Sequence, residues 1–231
     1  MLSVPVLARA VLWDLDGTLV DSAEYHWQSW RDTAAAEGMQ LSYEQFLHSF
    51  GQKNDRILRA WLGDETPADR IQRIGDAKEA AYRRLVLEGG LTGLPEAAAW
   101  VARLHDGGWR QAIASSAPRA NVDVMLCALG VAHYFDAIVS AEDVTAGKPD
   151  PQVFLEAAAR VGVPPAGCVV VEDAAAGIEA ARRAGMRAIG VSRTEGLNAD
   201  VFVESLADLP RDVFERLLRS ADTTFKRTGV D

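Results

Sequence analysis

Apolar positions recur along this chain with two periods. Ala10 to Trp13 is an unbroken apolar run that stops at Asp14, followed by Asp16, Gly17 and Thr18. A short apolar run closed by acidic residues predicts a buried parallel strand whose carboxyl end opens into a site. Residues 22–38 instead carry apolar and aromatic side chains at helical spacing, with Gly38 as a C-terminal stop. Ser42 starts a short helix ending before Gly51, another covers Asn54–Leu62, and Pro67 opens a longer one through Arg84 toward Glu88. No strand pattern falls between Asp21 and Gly90. Four helices in a row predict an inserted helical domain.

From Leu94 the rhythm changes to alternation. Helices are predicted over 95–105, 118–129, 151–161 and 174–185, and strands over 110–116, 136–140, 167–173 and 186–192. A last short strand near 200–210 and a terminal helix opened by Pro210 follow, with a polar tail after about Ala221. Repeated βα units imply a parallel sheet covered by helices on both faces. The expected fold is α/β: a Rossmann-like doubly wound parallel sheet over residues 1–20 and 93–231, with an inserted all-α helical-bundle domain over 21–92. Asp14, Ser115, Ser140 and Asp173 end strands, on the edge where such sheets bind ligands.

Composition narrows the function. The 231 residues are 48% hydrophobic and 25% charged, with a formal net charge of −9. That charge argues against nucleic-acid binding, which wants a basic face. An acidic protein that handles phosphate must build a local positive site. Cys127 and Cys168 show no metal or disulfide spacing and are expected in the core of a protein from a reducing compartment. The apolar start lacks a basic leader region and no stretch reaches membrane-spanning length. A cytoplasmic protein with no membrane partner is expected. Trp27, Trp30, Trp61, Trp100 and Trp109 are expected to pack inside rather than form a dimer patch, so a monomer is expected.

The polar residues at the strand ends form a constellation. Asp14 and Asp16 repel each other unless a cation or a proton lies between them. Asp14 can serve as a nucleophile and Asp16 as its acid/base partner, while Gly17 permits the tight turn beyond. Ser115 and Ser116 end the strand before Pro118, where Ser115 can cap the helix that follows. Lys148 supplies a fixed positive charge in a loop stiffened by Pro149 and Pro151; a solvated loop lysine is the alternative. Glu172 and Asp173 end the run of three valines.

In this chain DLDGTLVDS, the serine of IASSAP, GKPDPQVF and VVVEDAAAGIEAA resemble, in order, the four motifs of the haloacid dehalogenase superfamily. The inserted helices resemble the small cap of its phosphoglycolate-phosphatase and β-phosphoglucomutase branch. The resemblance covers roughly residues 8–195 and implies phosphoryl transfer through an aspartyl-phosphate on Asp14. It implies Mg²⁺ held by Asp14, the backbone carbonyl of Asp16 and Asp173, with Glu172 bound directly or through water. Ser115, Ser116 and Lys148 would hold the phosphate.

The cap is expected to choose the substrate. His26, on the first cap helix, either faces the active site or packs among Tyr25, Trp27 and Trp30. Gln52, Lys53 and Asn54, after Gly51, suit hydroxyls or a second anion. In β-phosphoglucomutase the position matching Asn54 carries a phosphate-gripping arginine, and Phe50 stands where a lysine would be. A mutase must hold a bisphosphate both ways round and needs that clamp, which Lys53 or Arg56 would have to replace. The expected function is therefore hydrolysis of a small phosphorylated metabolite, a sugar or sugar-alcohol phosphate, with a phosphosugar mutase as the alternative. A 2-haloacid dehalogenase needs neither the metal cage nor Asp16. A phospho-acceptor of the receiver type has no use for an acid/base aspartate or a lid. The links at Asp21–Ser22 and at 89–93 are the expected hinges.

Overall fold

The structure is a computed structural model and describes residues 8–49, 52–193 and 196–225. Six strands form one wholly parallel sheet: β1 (Ala10–Trp13), β2 (Arg110–Ala114), β3 (Ala137–Val139), β4 (Cys168–Glu172), β5 (Arg187–Val191) and β6 (Val201–Val203). Their order is β3-β2-β1-β4-β5-β6. The chain winds outward from β1 to β3, then returns to the other side of β1. The winding reverses between β1 and β4, where such sheets open a crevice at the carboxyl edge.

The sheet forms because its strands are apolar on both faces. Val11 and Trp13 of β1 join Ile113, Val169, Val171 and Ile189 on one side. Ala10 and Leu12 join Ala112, Ala114, Val170 and Ala188 on the other. The first face is covered by α5 (Ala97–Asp106), α6 (Arg119–Leu129) and α9 (Val213–Phe225). The second is covered by α7 (Gln152–Val161) and α8 (Ala175–Arg183), whose small Ala157, Ala158, Ala180 and Ala181 let the helices lie close. The buried Trp13 indole N–H donates to Gln111 Oε1 at 2.9 Å, and Gln111 Nε2 donates to the Val101 carbonyl at 2.9 Å. These core polar groups are thereby satisfied.

Between β1 and β2 lie α1 (Ala23–Ala36), α2 (Tyr43–Ser49), α3 (Asn54–Leu62) and α4 (Ala68–Gly89). Trp30, Phe46, Ile57, Leu58, Ile71 and Ile74 form a core of their own there, separate from those of the sheet. Ser42 and Gln45 form a reciprocal capping box at the start of α2 (2.9 and 3.2 Å). The two links to the sheet run side by side. The Asp21 N–H donates to the Thr92 carbonyl at 3.2 Å, Val20 and Gly93 pair as an antiparallel bridge, and the Tyr25 hydroxyl donates to the Gly90 carbonyl. Among the described residues no helix is long and apolar enough to cross a membrane.

Some expectations are corrected. Cys127 is exposed on α6, whereas Cys168 is buried in β4 with its thiol pushed up to about 12 by burial. The terminal helix starts at Val213, not Pro210. Phe50 and Gly51 lie outside the described residues.

The turn after β3 is fixed by Asp143. Its carboxylate accepts from the Ser140 N–H and hydroxyl, both at 2.8 Å, and from Arg160 Nη2 at 2.6 Å. The Arg160 hydrogen bond, with the Ser140 N–H, holds this carboxyl near 2, below its ordinary 3.8. A depressed carboxyl stabilises the fold above its unfolded value and loses that contribution as pH falls through its folded one. Asp143→Asn is therefore expected to cost about 1 kcal/mol at neutral pH. In denaturant titrations the gap to wild type should close between about pH 4 and 2; a gap unchanged with pH would contradict this.

Candidate active site

Asp14 follows β1 directly, and its N–H continues the β1–β4 ladder to the Val171 carbonyl at 2.9 Å. Its side chain is buried. Oδ1 receives Lys148 Nζ at 2.5 Å, and Oδ2 receives the Thr18 hydroxyl at 3.3 Å. The same Lys148 ammonium donates to Glu172 Oε2 at 2.7 Å. Asp173 comes next. One carboxylate oxygen from each of Asp14, Glu172 and Asp173 lies within 4.8 Å of the other two.

Local sequence explains how so much charge fits. Gly17 has φ +80°, and a Cβ there would stand 2.0 Å from Asp173 Oδ2. A Cβ on Gly177 of α8 would stand 2.0 Å from Glu172 Cδ. Both carboxylates occupy space that only glycine leaves. The Lys148 loop is held by Gln152, whose Oε1 accepts the Thr145 and Ala146 N–H groups at 3.0 and 3.1 Å. The Lys148 ammonium also sits 5.0 Å from the centre of the Phe154 ring.

The buried Asp14 and Glu172 carboxylates share one ammonium, with the half-buried Asp173 beside them. Burial and then Glu172 push the Asp14 carboxyl up. Burial, with Asp14 and Glu172, pushes Asp173 up still further. Burial works against the Lys148 charge, yet Asp14 and Glu172 hold its ammonium above the ordinary lysine range. An all-oxygen donor set with this surplus of negative charge fits a hard divalent cation such as Mg²⁺.

The Asp16 carboxylate lies outside this cluster. It turns toward the helical insert, where Oδ1 accepts from the Ser22 hydroxyl at 2.5 Å and lies 3.1 Å from His26 Nε2. His26 Nδ1 lies 2.9 Å from Lys78 Nζ. An ammonium only donates, so Nδ1 accepts and Nε2 carries the proton given to Asp16. Burial and then Lys78 lower the His26 pKa, in keeping with a neutral ring. Burial opposes the Asp16 charge, but His26 and Ser22 hold its carboxyl below the usual range. His26 thus faces Asp16 and also packs, on Tyr82 at 4.1 Å between ring centres.

Ser115 is buried one residue beyond β2. Its hydroxyl accepts the Ala117 N–H at 3.0 Å, and Pro118 takes the N-cap position of α6. Ser116 is half-buried on the same turn. The other expected residues are distributed differently. Gln52 is exposed and donates back to the His48 carbonyl at 3.2 Å. Lys53 Nζ reaches across to the Val144 carbonyl at 3.4 Å. Asn54 donates to Glu79 Oε1 at 2.7 Å.

Thr18, Ser22, Lys78 and Glu79 were not singled out from sequence. A signal for the last two existed: the buried stripe of α4 runs Ile71, Ile74, Gly75, Lys78, Glu79, Tyr82 and Val86. Two charges on the apolar face of a helix mark a buried polar site.

A family model for haloacid dehalogenase-like hydrolases matches residues 8–185. The fructose-1-phosphate phosphatase YqaB of Escherichia coli is 34% identical over 181 residues, covering 78% of this chain and 95% of that protein. The β-phosphoglucomutase of Bacillus subtilis is 34% identical over 210 residues, covering 87% of this chain and 91% of that one. The crystal structure of β-phosphoglucomutase from Clostridium difficile is similar with a TM-score of 0.84 at 27% identity, covering 94% of this chain and 100% of that one. With Asp14, Lys148, Glu172 and Asp173 gathered at the β1/β4 crevice and these likenesses spanning most of its length, the chain belongs to the haloacid dehalogenase-like hydrolase family.

Proposed function

We propose that this chain is a Mg²⁺-dependent phosphatase that hydrolyses a phosphorylated sugar or sugar alcohol through a phosphorylated Asp14. The observation that carries the reading is Asp14 at the crevice, fixed by Lys148 and crowded by Glu172 and Asp173. Bound by Asp14, Asp173 and the Asp16 carbonyl, with Glu172 beside them, Mg²⁺ would offset the repulsion between the phosphoryl group and the carboxylates. Lys148 orients Asp14 and neutralises phosphoryl oxygens, and Ser115 and Ser116 bind those same oxygens. Asp16 takes up a proton when the anionic phosphate lies beside it; Asp14 attacks phosphorus, and the P–O bond to the sugar breaks as that proton passes to the leaving oxygen. Asp16 then takes a proton from water, which attacks phosphorus and frees Asp14 and phosphate. His26 holds Asp16 by its Nε2–H, so residues 21–92, acting as a lid, complete the acid/base group only when docked on the core.

Hydrolysis is favoured over mutase chemistry by Asn54. It matches the position of the mutase clamp and is tied to Glu79 instead, while Lys53 is engaged with a backbone carbonyl. The test is phosphate release from a panel of sugar and hexitol phosphates, with and without Mg²⁺. Metal-dependent release from panel members is expected. Conversion of β-glucose 1-phosphate to glucose 6-phosphate faster than phosphate release would place the chain among the mutases.

The same reading predicts the effect of Gly17→Ala. The added methyl meets Asp173 and the left-handed backbone is strained, so Mg²⁺ affinity should fall about tenfold or more. Calorimetric titration with Mg²⁺ checks this, and circular dichroism should remain that of the wild type. Undiminished affinity would remove Asp173 from the metal site.

A further inference from the structure

One buried carboxylate on α4 joins the helical insert to the sheet domain. Glu79 is 6% exposed, and both of its oxygens are occupied. Oε1 accepts from Lys78 Nζ at 2.9 Å and from Asn54 Nδ2 at 2.7 Å, both within the insert. Oε2 accepts from Nδ2 of Asn121, on α6 of the sheet domain, at 2.5 Å. Asn121 is fully buried, and its Oδ1 accepts from Arg83 Nη1 at 2.9 Å, one turn further along α4. The amide therefore has each end matched: its oxygen to a cation, its nitrogen to a carboxylate.

This arrangement forms one wall of a cleft of about 370 Å³ between α3, α4 and the start of α6, lined by Asn54, Gly75, Glu79, Arg83 and Pro118 among others. Two helices can pack by apolar contact alone. A buried carboxylate and amide at their interface add a directional demand, because separating or sliding the helices takes Asn121 from Glu79 Oε2 and takes both Glu79 and Arg83 from the Asn121 amide. The carboxylate that makes this cross-domain contact is also the one that holds Lys78. Lys78 in turn sets the tautomer of His26, and His26 donates to Asp16.

We infer that Glu79 is a positioning residue: its hydrogen bond to Asn121 latches the insert onto the sheet domain and locks Lys78 and His26 in register with Asp16 only in the docked state. This rests on the reading of Asp16 as the acid/base group. Glu79 touches no reacting atom. It acts through Lys78 and His26, and the contact with α6 is what makes that action depend on docking.

The test exchanges donor and acceptor. Glu79→Gln sets two amide nitrogens against each other, and Asn121→Asp sets two carboxylates against each other. The double variant E79Q/N121D restores one donor facing one acceptor and leaves Arg83 an oxygen to bond. Three quantities are read on all four proteins with saturating Mg²⁺: kcat and KM for p-nitrophenyl phosphate, and hydrogen exchange of the α4 and α6 backbone and of the 89–94 link. Each single variant should lower kcat about tenfold with KM little changed and speed exchange at those segments, and the double variant should recover most of both. Singles that leave exchange and kcat as in wild type, or a double variant no better than either single, would overturn the latch. Faster exchange with unchanged kcat would overturn the positioning role. If the wild type releases no phosphate from any substrate, the phosphatase reading fails, and exchange alone then judges the latch.

Discussion

Asp14→Asn is expected to abolish phosphate release, by about three orders of magnitude or more. The substitution keeps the size and the ladder hydrogen bond to Val171 but removes the anion that attacks phosphorus. It should not weaken the fold. Asp14 shares a buried crevice with Glu172 and Asp173, and its carboxyl is pushed up by burial and by Glu172. A group with a raised carboxyl pKa costs stability when ionised. Without metal, the melting midpoint of the variant should equal or exceed that of the wild type, and scanning calorimetry alongside phosphate release measures both. Residual turnover within tenfold of wild type would assign the nucleophile elsewhere. Lost turnover with a sharply lowered midpoint would mean that the residue serves structure first.

Asp16→Asn should cost about 10²–10⁴-fold on sugar phosphates, the range expected for a lost general acid/base. The loss should depend on the leaving group. A sugar alkoxide needs a proton as the P–O bond breaks, whereas p-nitrophenolate leaves without one. Formation of the phosphorylated enzyme from p-nitrophenyl phosphate should therefore survive, and its hydrolysis should be slow because the base that activates water is gone. Pre-steady-state release of p-nitrophenolate would show a burst near one per enzyme followed by a slow phase. Equal losses in the rate of phosphoenzyme formation with both leaving groups would leave Asp16 as a mere support for the site.

The sheet and its site were legible because their signals are local. Each strand is a short apolar run, and the chemistry-bearing residues stand at its end, so Asp14, Ser115 and Glu172–Asp173 follow from pattern and topology together. Lys148 was legible through its stiff loop and the motif around it. What was missed depends on pairings far apart in sequence. Lys78 meets His26 across 52 residues, and Glu79 meets Asn121 across 42. A charge on a helix reads as solvated until a partner is placed against it. Asn54 looked free to meet substrate for the same reason, and Glu79 takes its amide instead. Cys127 was misplaced because α6 is apolar over more of its surface than it buries; its inward face is Val122, Met125 and Leu126.

The central claim is a phosphoryl group carried by Asp14, and the Asp16→Asn protein offers the most direct view of it. Incubated with p-nitrophenyl phosphate and Mg²⁺, quenched in acid and digested, it should yield the peptide containing Asp14 with one added phosphoryl group, which hydroxylamine removes. The same treatment of a protein that also carries Asp14→Asn should yield none. An unmodified Asp14 peptide in a protein that still releases p-nitrophenolate in a burst would contradict the account.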